Sequence, residues 1–354
     1  MDISNNIIAL LEQLPQPVFL VKDDVVVYAN HAAQLRDVQE KTNVYDLITI
    51  GHQEYQQFIS GKLILTVSVA GILYNTVVTN SGEYHLFCLE SEYSKPELRA
   101  FAVAAQALRD PLSNAFLRMD KLLPDPTVQD SPALLAQIKA INRNIHQIYR
   151  AVQNMSDAAT VGSAACTETR DVVAFLAELV EKANALFAGT RHHIEFQPMN
   201  RPAYCSLNPG TLERAILNLV SNAAKYASGD GVIKISLRAG ANKLYICVQS
   251  DCEHPSAHIK SNIFSGFIRE PSIDDNNRGI GLGLRITHSI AASHKGTLLV
   301  EQSDDTSLRF TLSLSTTLPE VVKVNSPVMI TDKYGGFDPF LIELAEVLPS
   351  DLYE

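Results

Sequence analysis

A helical stretch of this sequence, Pro209 to Ala227, carries side chains suited to holding a phosphorylated ligand. Asn218, Asn222 and Lys225 recur at i, i+4 and i+7 and therefore share one face. Amide oxygens are hard ligands for Mg²⁺, and an ammonium neutralises phosphate. Apolar Leu217, Leu219 and Val220 lie beside them, and Tyr226 follows directly. A solvated helix face would use the same residue types, so the segment alone leaves both readings open.

A second segment adds a matching chemistry. Arg278-Gly279-Ile280-Gly281-Leu282-Gly283-Leu284 opens a helix. Glycines there let backbone N–H groups approach an anion at the positive helix end. An ordinary glycine-rich turn explains such a run equally well. Between the two segments stands Ile263-Phe264-Ser265-Gly266-Phe267, whose aromatics fit either a lid or a core.

The elements around these segments set their context. The chain has 354 residues, enough for two or three domains of about 100 to 200 residues each. From Gln16 to about Glu90, β-rich runs alternate with turn signals: PVFLV, Lys22-Asp23-Asp24, VVVYAN, then LILTVSVAGILYNTVV and EYHLFCLE, with a mixed, helical stretch from Thr42 to Ser60 ending at Gly61. Two apolar seams follow. Leu98, Phe101, Ala105, Leu108, Leu112, Ala115, Met119 and Leu122 form the first, and Leu134, Ile138, Ile141, Ile145, Ile148, Val152, Met155 and Ala159 the second. Joined at Leu123-Pro124-Asp125-Pro126, they describe an antiparallel helical hairpin. A lone hairpin leaves its seams half covered, so a homodimer through 96–160, as a four-helix bundle, is expected. Thr160 to Thr169 reads as a linker. Beyond it come a helix opened by Asp171, the strands HHIEFQ and AYCSL, the helix at 209–227, the strands VIKISLRA and KLYICVQS, the glycine-opened helix, and the strands TLLVEQS and LRFTLSLS. The segment after Pro319 ends in a stretch suited to a short amphipathic helix.

Composition bounds the function classes. The formal net charge of -10 argues against a nucleic-acid or anionic-membrane surface as main partner. The longest nearly uncharged apolar stretch, Leu63 to Leu73, falls well below the roughly 20 residues that span a bilayer. Met1 to Leu14 reads as an amphipathic helix rather than a signal peptide. Cys88, Cys166, Cys205, Cys247 and Cys252 are scattered and never spaced as CxxC, so reduced thiols in a cytoplasmic protein are expected.

The order of the segments carries a family resemblance. NLVSNAAKYA, IFSGFI and RGIGLGLRITHSIAASHKGTL resemble the N box, F box and G2 box of histidine-kinase ATP-binding domains of the GHKL superfamily. Ala105-Gln106-Ala107-Leu108-Arg109-Asp110-Pro111-Leu112 resembles that family's dimerisation motif, normally SHELRTPL. The first segment is similar to a PAS sensor domain, with Tyr28-Ala29-Asn30 where that family leaves its second strand. The resemblance covers roughly residues 16 to 316. It implies an α+β multidomain chain: a PAS-like sensor at 1–92, a dimerisation hairpin at 93–162, a GHKL-type α/β sandwich at 163–318 and a tail at 319–354. By position it further implies ATP and Mg²⁺ as cofactors. Asn222 would ligate the metal with Asn218 assisting, Lys225 would contact phosphate, and Tyr226 would line the pocket. Arg278, Gly279, Gly281, Leu282 and Gly283 would wrap the triphosphate, while Phe264 and Phe267 would anchor the lid.

Two departures from the family pattern alter the expected chemistry. Gln106 and Ala107 stand at the positions of the phosphoacceptor His and its acidic base. A carboxamide nitrogen is not nucleophilic at neutral pH, and Ala accepts no proton. The DxGxG loop that reads adenine is replaced by Ser250-Asp251-Cys252-Glu253-His254-Pro255. Asp251, displaced, or Ser250, in its place, is the candidate adenine contact, and ATP binding weakened by about 1 to 3 kcal/mol is expected from one lost buried polar contact. His146, beside the Ile145 seam position, reads as a flanking surface residue, and His288 and His294 as ordinary helix positions. The leading reading is a cytoplasmic, dimeric, histidine-kinase-like signalling protein that binds ATP and Mg²⁺ without its own phosphoacceptor. Its candidate partners are a response regulator or a partner kinase. The rivals are an active kinase working in trans and a nucleotide-independent response-regulator scaffold.

Overall fold

The computed structural model describes residues 5–89, 95–158, 166, 168–252, 283–303, 307–318 and 337–354. A short helix, α1 (Asn5–Glu12), precedes the hairpin of β1 (Val18–Lys22) and β2 (Val25–Ala29). The turn between them needs two residues at positive φ, and Asp23 and Asp24 supply 50° and 63°. Asn30 then locks the chain entry: buried, it accepts from the Val18 and Ala33 amides and donates to the Leu11 and Gln16 carbonyls. Three short helices, α2 (His31–Gln34), α3 (Val44–Leu47) and α4 (His52–Gln56), and the short strand β3 (Ile48–Ile50) lead to β4 (Lys62–Val69), β5 (Ile72–Ser81) and β6 (Tyr84–Leu89). Alternating burial along β4 and β5 packs one face into a core around Phe19, Tyr55, Leu63, Leu65, Val78 and Phe87.

Two long helices, α5 (Lys95–Leu122) and α7 (Pro132–Ala158), run back along each other. Near the turn Met119 packs against the cluster of Leu123, Val128 and Ile138, and Arg109 donates to Ser156 Oγ at the far end. The proline-rich break becomes one helical turn, α6 (Pro126–Gln129), capped by Asp125. Within the seams the positions split. Ala105, Leu112, Ile138, Ile145 and Val152 are buried, whereas Leu108, Leu122, Leu134, Ile141 and Ile148 are exposed. The exposed set repeats every seven residues on α7 and thus forms a continuous stripe.

The remaining elements are β7 (Glu168–Asp171), α8 (Val172–Phe187), β8 (His193–Gln197), β9 (Tyr204–Leu207), α9 (Pro209–Tyr226), β10 (Val232–Ala239), β11 (Lys243–Asp251), α10 (Gly283–Ser293), β12 (Leu298–Ser303), β13 (Ser307–Ser315) and α11 (Pro339–Glu343). Asp171 caps α8, accepting from the Val173 amide. Apolar faces of α8, α9 and α10 cover the sheet in the largest core, which also takes in Phe340, Leu344, Leu348 and Tyr353 of the C-terminal segment. This mixed α/β layer agrees with the expected fold class for the third part. β7 pairs with β9, so Glu168 and Thr169 are strand residues where a linker was expected.

The sheet continues across the chain, which periodicity did not foretell. Its strands run β2-β1-β6-β5-β4-β12-β13-β11-β10-β8, with β3 paired to β4. The junction sets Ile64, Leu63 and Lys62 opposite Leu298, Leu299 and Val300. Beside it, buried Glu54 of α4 accepts from Ser313 Oγ at 2.6 Å and lies 3.1 Å from Lys243 Nζ. Gly61 has φ +90°, and a Cβ there would meet the Val300 carbonyl oxygen at 2.5 Å. Gly61→Ala is therefore expected to pry β4 from β12. Hydrogen exchange of amides 62–64 and 298–300 should rise together, while exchange within β10 and β11 stays protected.

Candidate functional site

Helix α9 holds most of the side chains singled out from sequence. Asn208 caps it, accepting from the Thr211 amide at 3.3 Å, and Pro209 fits its first turn, where no intrahelical N–H is needed. Leu212, Ile216, Leu219, Val220 and Ala223 bury its apolar side. Its polar face, Arg214, Asn218, Ser221 and Lys225, has spacings of four, three and four, and it meets Arg150, Asn154 and Asp157 of α7. Matching spacings on two packed helices let polar stripes pair along their whole contact.

The contact is a buried charge network. Arg150 donates from NH2 to Asn218 Oδ1 at 2.8 Å, from NH1 to Ser221 Oγ at 3.3 Å and from Nε to Glu343 Oε2 at 3.2 Å. Its NH1 also lies 3.4 Å from Glu346 Oε1. Arg214 donates to Asn154 Oδ1 at 2.6 Å and pairs with Asp157. Its Nε sits 2.9 Å from Glu343 Oε1, out of hydrogen-bond alignment, so that approach is an ionic contact only. Lys225 Nζ donates to Glu346 Oε2 at 3.2 Å. Arg150 and Glu343 expose only 7% and 0% of their side chains, and charges this deep are tolerated only when paired and hydrogen-bonded.

Gly283 approaches Asn218 of α9, the helix that also carries Asn222, Lys225 and Tyr226. A Cβ on Gly283 would stand 3.0 Å from Asn218 Oδ1, so the first residue of α10 must be small to let the two helices approach. Asn222 is half-buried, and Tyr226 packs against the main core. Phe264, Phe267, Arg278, Gly279, Gly281 and Leu282 lie outside the described residues. At the end of β11, Ser250 is buried with no partner for its Oγ among the described residues, while Asp251 is exposed, its carbonyl accepting from the Ser228 amide. Strand alternation thus turns Ser250 inward and Asp251 outward. Gln106 and Ala107 are both exposed on α5. Among the described residues, Asn218 Nδ2 and Ser250 Oγ are buried without a partner, and with Lys225 and Asn222 these residue types fit a phosphorylated ligand and a hard cation.

His146 departs from its expected setting, and His288 and His294 are buried. His146 is buried rather than on the surface: Phe116 and Tyr353 stand edge-on to its ring at 4.8 Å, and its Nδ1 bonds the Asn142 carbonyl. The C-terminal segment covers a helix face that periodicity alone placed beside the seam. His294 Nε2 accepts from the Asn208 amide at the start of α9. His288 is fully enclosed, and among the described residues neither ring nitrogen is bonded. Burial, with Arg285 nearby, lowers its pKa to about 4.

Sequence reasoning missed Arg150, Arg214, Glu343 and Glu346. Their signal was present: Lys139, Arg143 and Arg150 share a face of α7, and the C-terminal segment carries Glu343, Glu346, Asp351 and Glu354. Nothing in either run alone pointed to the other.

Residues 208–317 match the family described as Histidine kinase-, DNA gyrase B-, and HSP90-like ATPase. The sensor protein RstB of Escherichia coli (strain K12) is 33% identical over 111 residues, 31% of this chain and 25% of RstB. The heme sensor protein HssS of Staphylococcus aureus (strain JH9) is 34% identical over 107 residues, 30% of this chain and 23% of HssS. A solved structure of histidine kinase ThkA in complex with response regulator protein TrrA aligns with 87% of this chain and 98% of that chain, at 17% identity and a TM-score of 0.42. The chain thus spans about a quarter of the length of the curated relatives it matches. Among the described residues no helix is long and apolar enough to cross a membrane.

Enclosure of His288 has a measurable consequence. The unfolded chain takes up its proton below the ordinary value of 6.5, the folded chain only near 4. Stability from this site is complete above pH 6.5 and is lost as pH falls towards 4, by about 3 kcal/mol in all. Urea midpoints measured between pH 7 and pH 4 should fall steeply for the native chain and less steeply for His288→Leu.

Proposed function

We propose, from the premise that this chain is related to the sensor histidine kinases through its ATPase domain, that it is a dimeric signalling protein which binds Mg·ATP but does not phosphorylate itself by the usual route. The observation that carries this reading is the approach of Gly283 to Asn218, on the helix that carries Asn222 and Lys225, inside the matched span, together with an α5 that presents Gln106 and Ala107 to solvent.

In this reading Asn222, assisted by Asn218, holds Mg²⁺, and Lys225 neutralises phosphate charge. Bound Mg²⁺ supplies charge neutralisation at the phosphates and a template for their orientation. Gly279, Gly281 and Gly283 let the backbone approach the triphosphate, with Arg278 and Leu282 in the same run, and Phe264 and Phe267 anchor the lid. The inward turn of Ser250 favours it over Asp251 as the adenine contact. A hydroxyl is a weaker reader of an amino group than a carboxylate, so nucleotide affinity is reduced.

Gln106 offers neither a nucleophile nor a proton relay, and Ala107 offers no base. The chain then acts as a pseudokinase: a PAS-like sensor at 1–92 biases a helix pair at 93–162, which presents a surface to a response regulator or a partner kinase. The exposed stripe of Leu108, Leu122, Leu134, Ile141 and Ile148 supports a homodimer through 96–160, because an apolar stripe in heptad register is stable only when covered. Free thiols at all five cysteines are compatible with the cytoplasm.

Incubation with γ-labelled ATP, alone and with candidate kinases and regulators, beside Asn222→Ala, tests the reading. The expected result is nucleotide binding abolished by Asn222→Ala with no label on this chain. Label on this chain that Asn222→Ala removes would establish an active kinase instead. Label appearing only on an added partner would mean action in trans, and absence of both label and binding would leave a scaffold.

A further inference from the structure

Residues 337–354 lie in a groove formed by α7 and α9, and the groove is built for them. One face of α7 is given over to this segment: Arg143 Nε and Gln147 Nε2 each donate to the Ala345 carbonyl at 3.0 Å, and Arg143 NH2 donates to the Glu346 carbonyl at 3.2 Å. Lys139 donates to Glu354 Oε1 at 2.5 Å. Aromatic anchors fix both ends. Phe337 lies against Phe116 at 3.9 Å between ring centroids, and Tyr353, fully buried, donates to the Leu341 carbonyl at 2.9 Å.

The occupant brings carboxylates to the cations of the nucleotide face. Glu346 holds Lys225, the side chain read as the phosphate contact, and Glu343 holds Arg150, which in turn occupies the Oδ1 of Asn218. A carboxylate and a phosphate oxygen satisfy an ammonium in the same way, and one Nζ cannot serve both at full strength. Asn218 Oδ1, engaged by a guanidinium, is likewise withheld from a metal ion.

We propose that the C-terminal segment is a built-in competitor of nucleotide, its Glu346 standing where a phosphate of ATP would sit on Lys225, so that ATP binding and docking of residues 337–354 exclude one another. The inference rests on the reading of α9 as a nucleotide site. Docking then taxes affinity, since nucleotide binds only the fraction of molecules whose segment has withdrawn. Any partner that lifts the segment from α7 would raise nucleotide affinity without touching the ATPase domain.

The chain contains no Trp, so one introduced by Leu352→Trp, at a half-buried position, reports on the segment alone. The test titrates full-length protein with a fluorescent ATP analogue in Mg²⁺, comparing the native chain, Glu346→Gln and the surface control Glu83→Gln, and follows tryptophan emission of the Leu352→Trp chain in unlabelled ATP. Glu346→Gln is expected to lower Kd by about fivefold or more, the size that loss of a partly buried ion pair favouring the docked state allows. Glu83→Gln should leave Kd unchanged, and ATP should red-shift the emission. Equal Kd for native and Glu346→Gln chains, with emission unmoved at saturating ATP, would overturn the proposal while leaving the nucleotide site standing. No binding by any variant would overturn both.

Discussion

Charge in this molecule cannot be buried one group at a time. Three cations, Arg150, Arg214 and Lys225, meet three carboxylates, Asp157, Glu343 and Glu346, at the contact of α7, α9 and the C-terminal segment. Removing a paired charge from water is tolerated only when its partners arrive together, and leaving one behind costs about 3 to 5 kcal/mol. The helix pair, the α/β layer that carries α9 and the segment after Phe337 are therefore packed against one another, although they stand far apart in sequence. The apolar residues around the network, among them Phe340, Leu344 and Tyr353, supply the driving force, and the charges fix the register.

The second constraint is the shared sheet. β4 and β12 are both edge strands of their own layers, and edge strands left bare invite association with other chains. Pairing them removes two edges at once and makes the first part of the chain a structural neighbour of the α/β layer that carries α9. Glu54 adds a polar latch to Ser313 and Lys243 at the same junction. A change of shape among β1–β6 has a direct path to β12 and β13 through backbone hydrogen bonds, in addition to any path through α5.

Much of this was legible in the residues. The i, i+4, i+7 pattern put Asn218, Asn222 and Lys225 on one face, Asp171 and Asn208 announced helix starts, and the three-four rhythm of Leu112 and Ile145 gave the helix pair, because local periodicity and capping chemistry are written in short windows. The β4–β12 pairing was not legible, since backbone hydrogen bonds between edge strands are indifferent to side-chain identity. His146 was misplaced for a related reason: a lone polar residue beside a seam reads as solvent-facing until a distant segment covers it. Arg150 escaped notice because its partners Glu343 and Glu346 lie beyond any local window, and only complementary charge linked them.

On the proposed reading, residues 337–354 dock on α7 and α9 through this network and withdraw from them while both helices stay folded. Native-state hydrogen exchange followed by mass spectrometry, with increasing urea below the unfolding midpoint, measures this most directly. Amides of 339–348 are expected to open at a free energy below that of α7 and α9, and saturating Mg·ATP is expected to lower it further while both helices stay protected. Exchange of residues 339–348 at the rate of an unfolded peptide without nucleotide, or exchange left unchanged by saturating Mg·ATP, would contradict it.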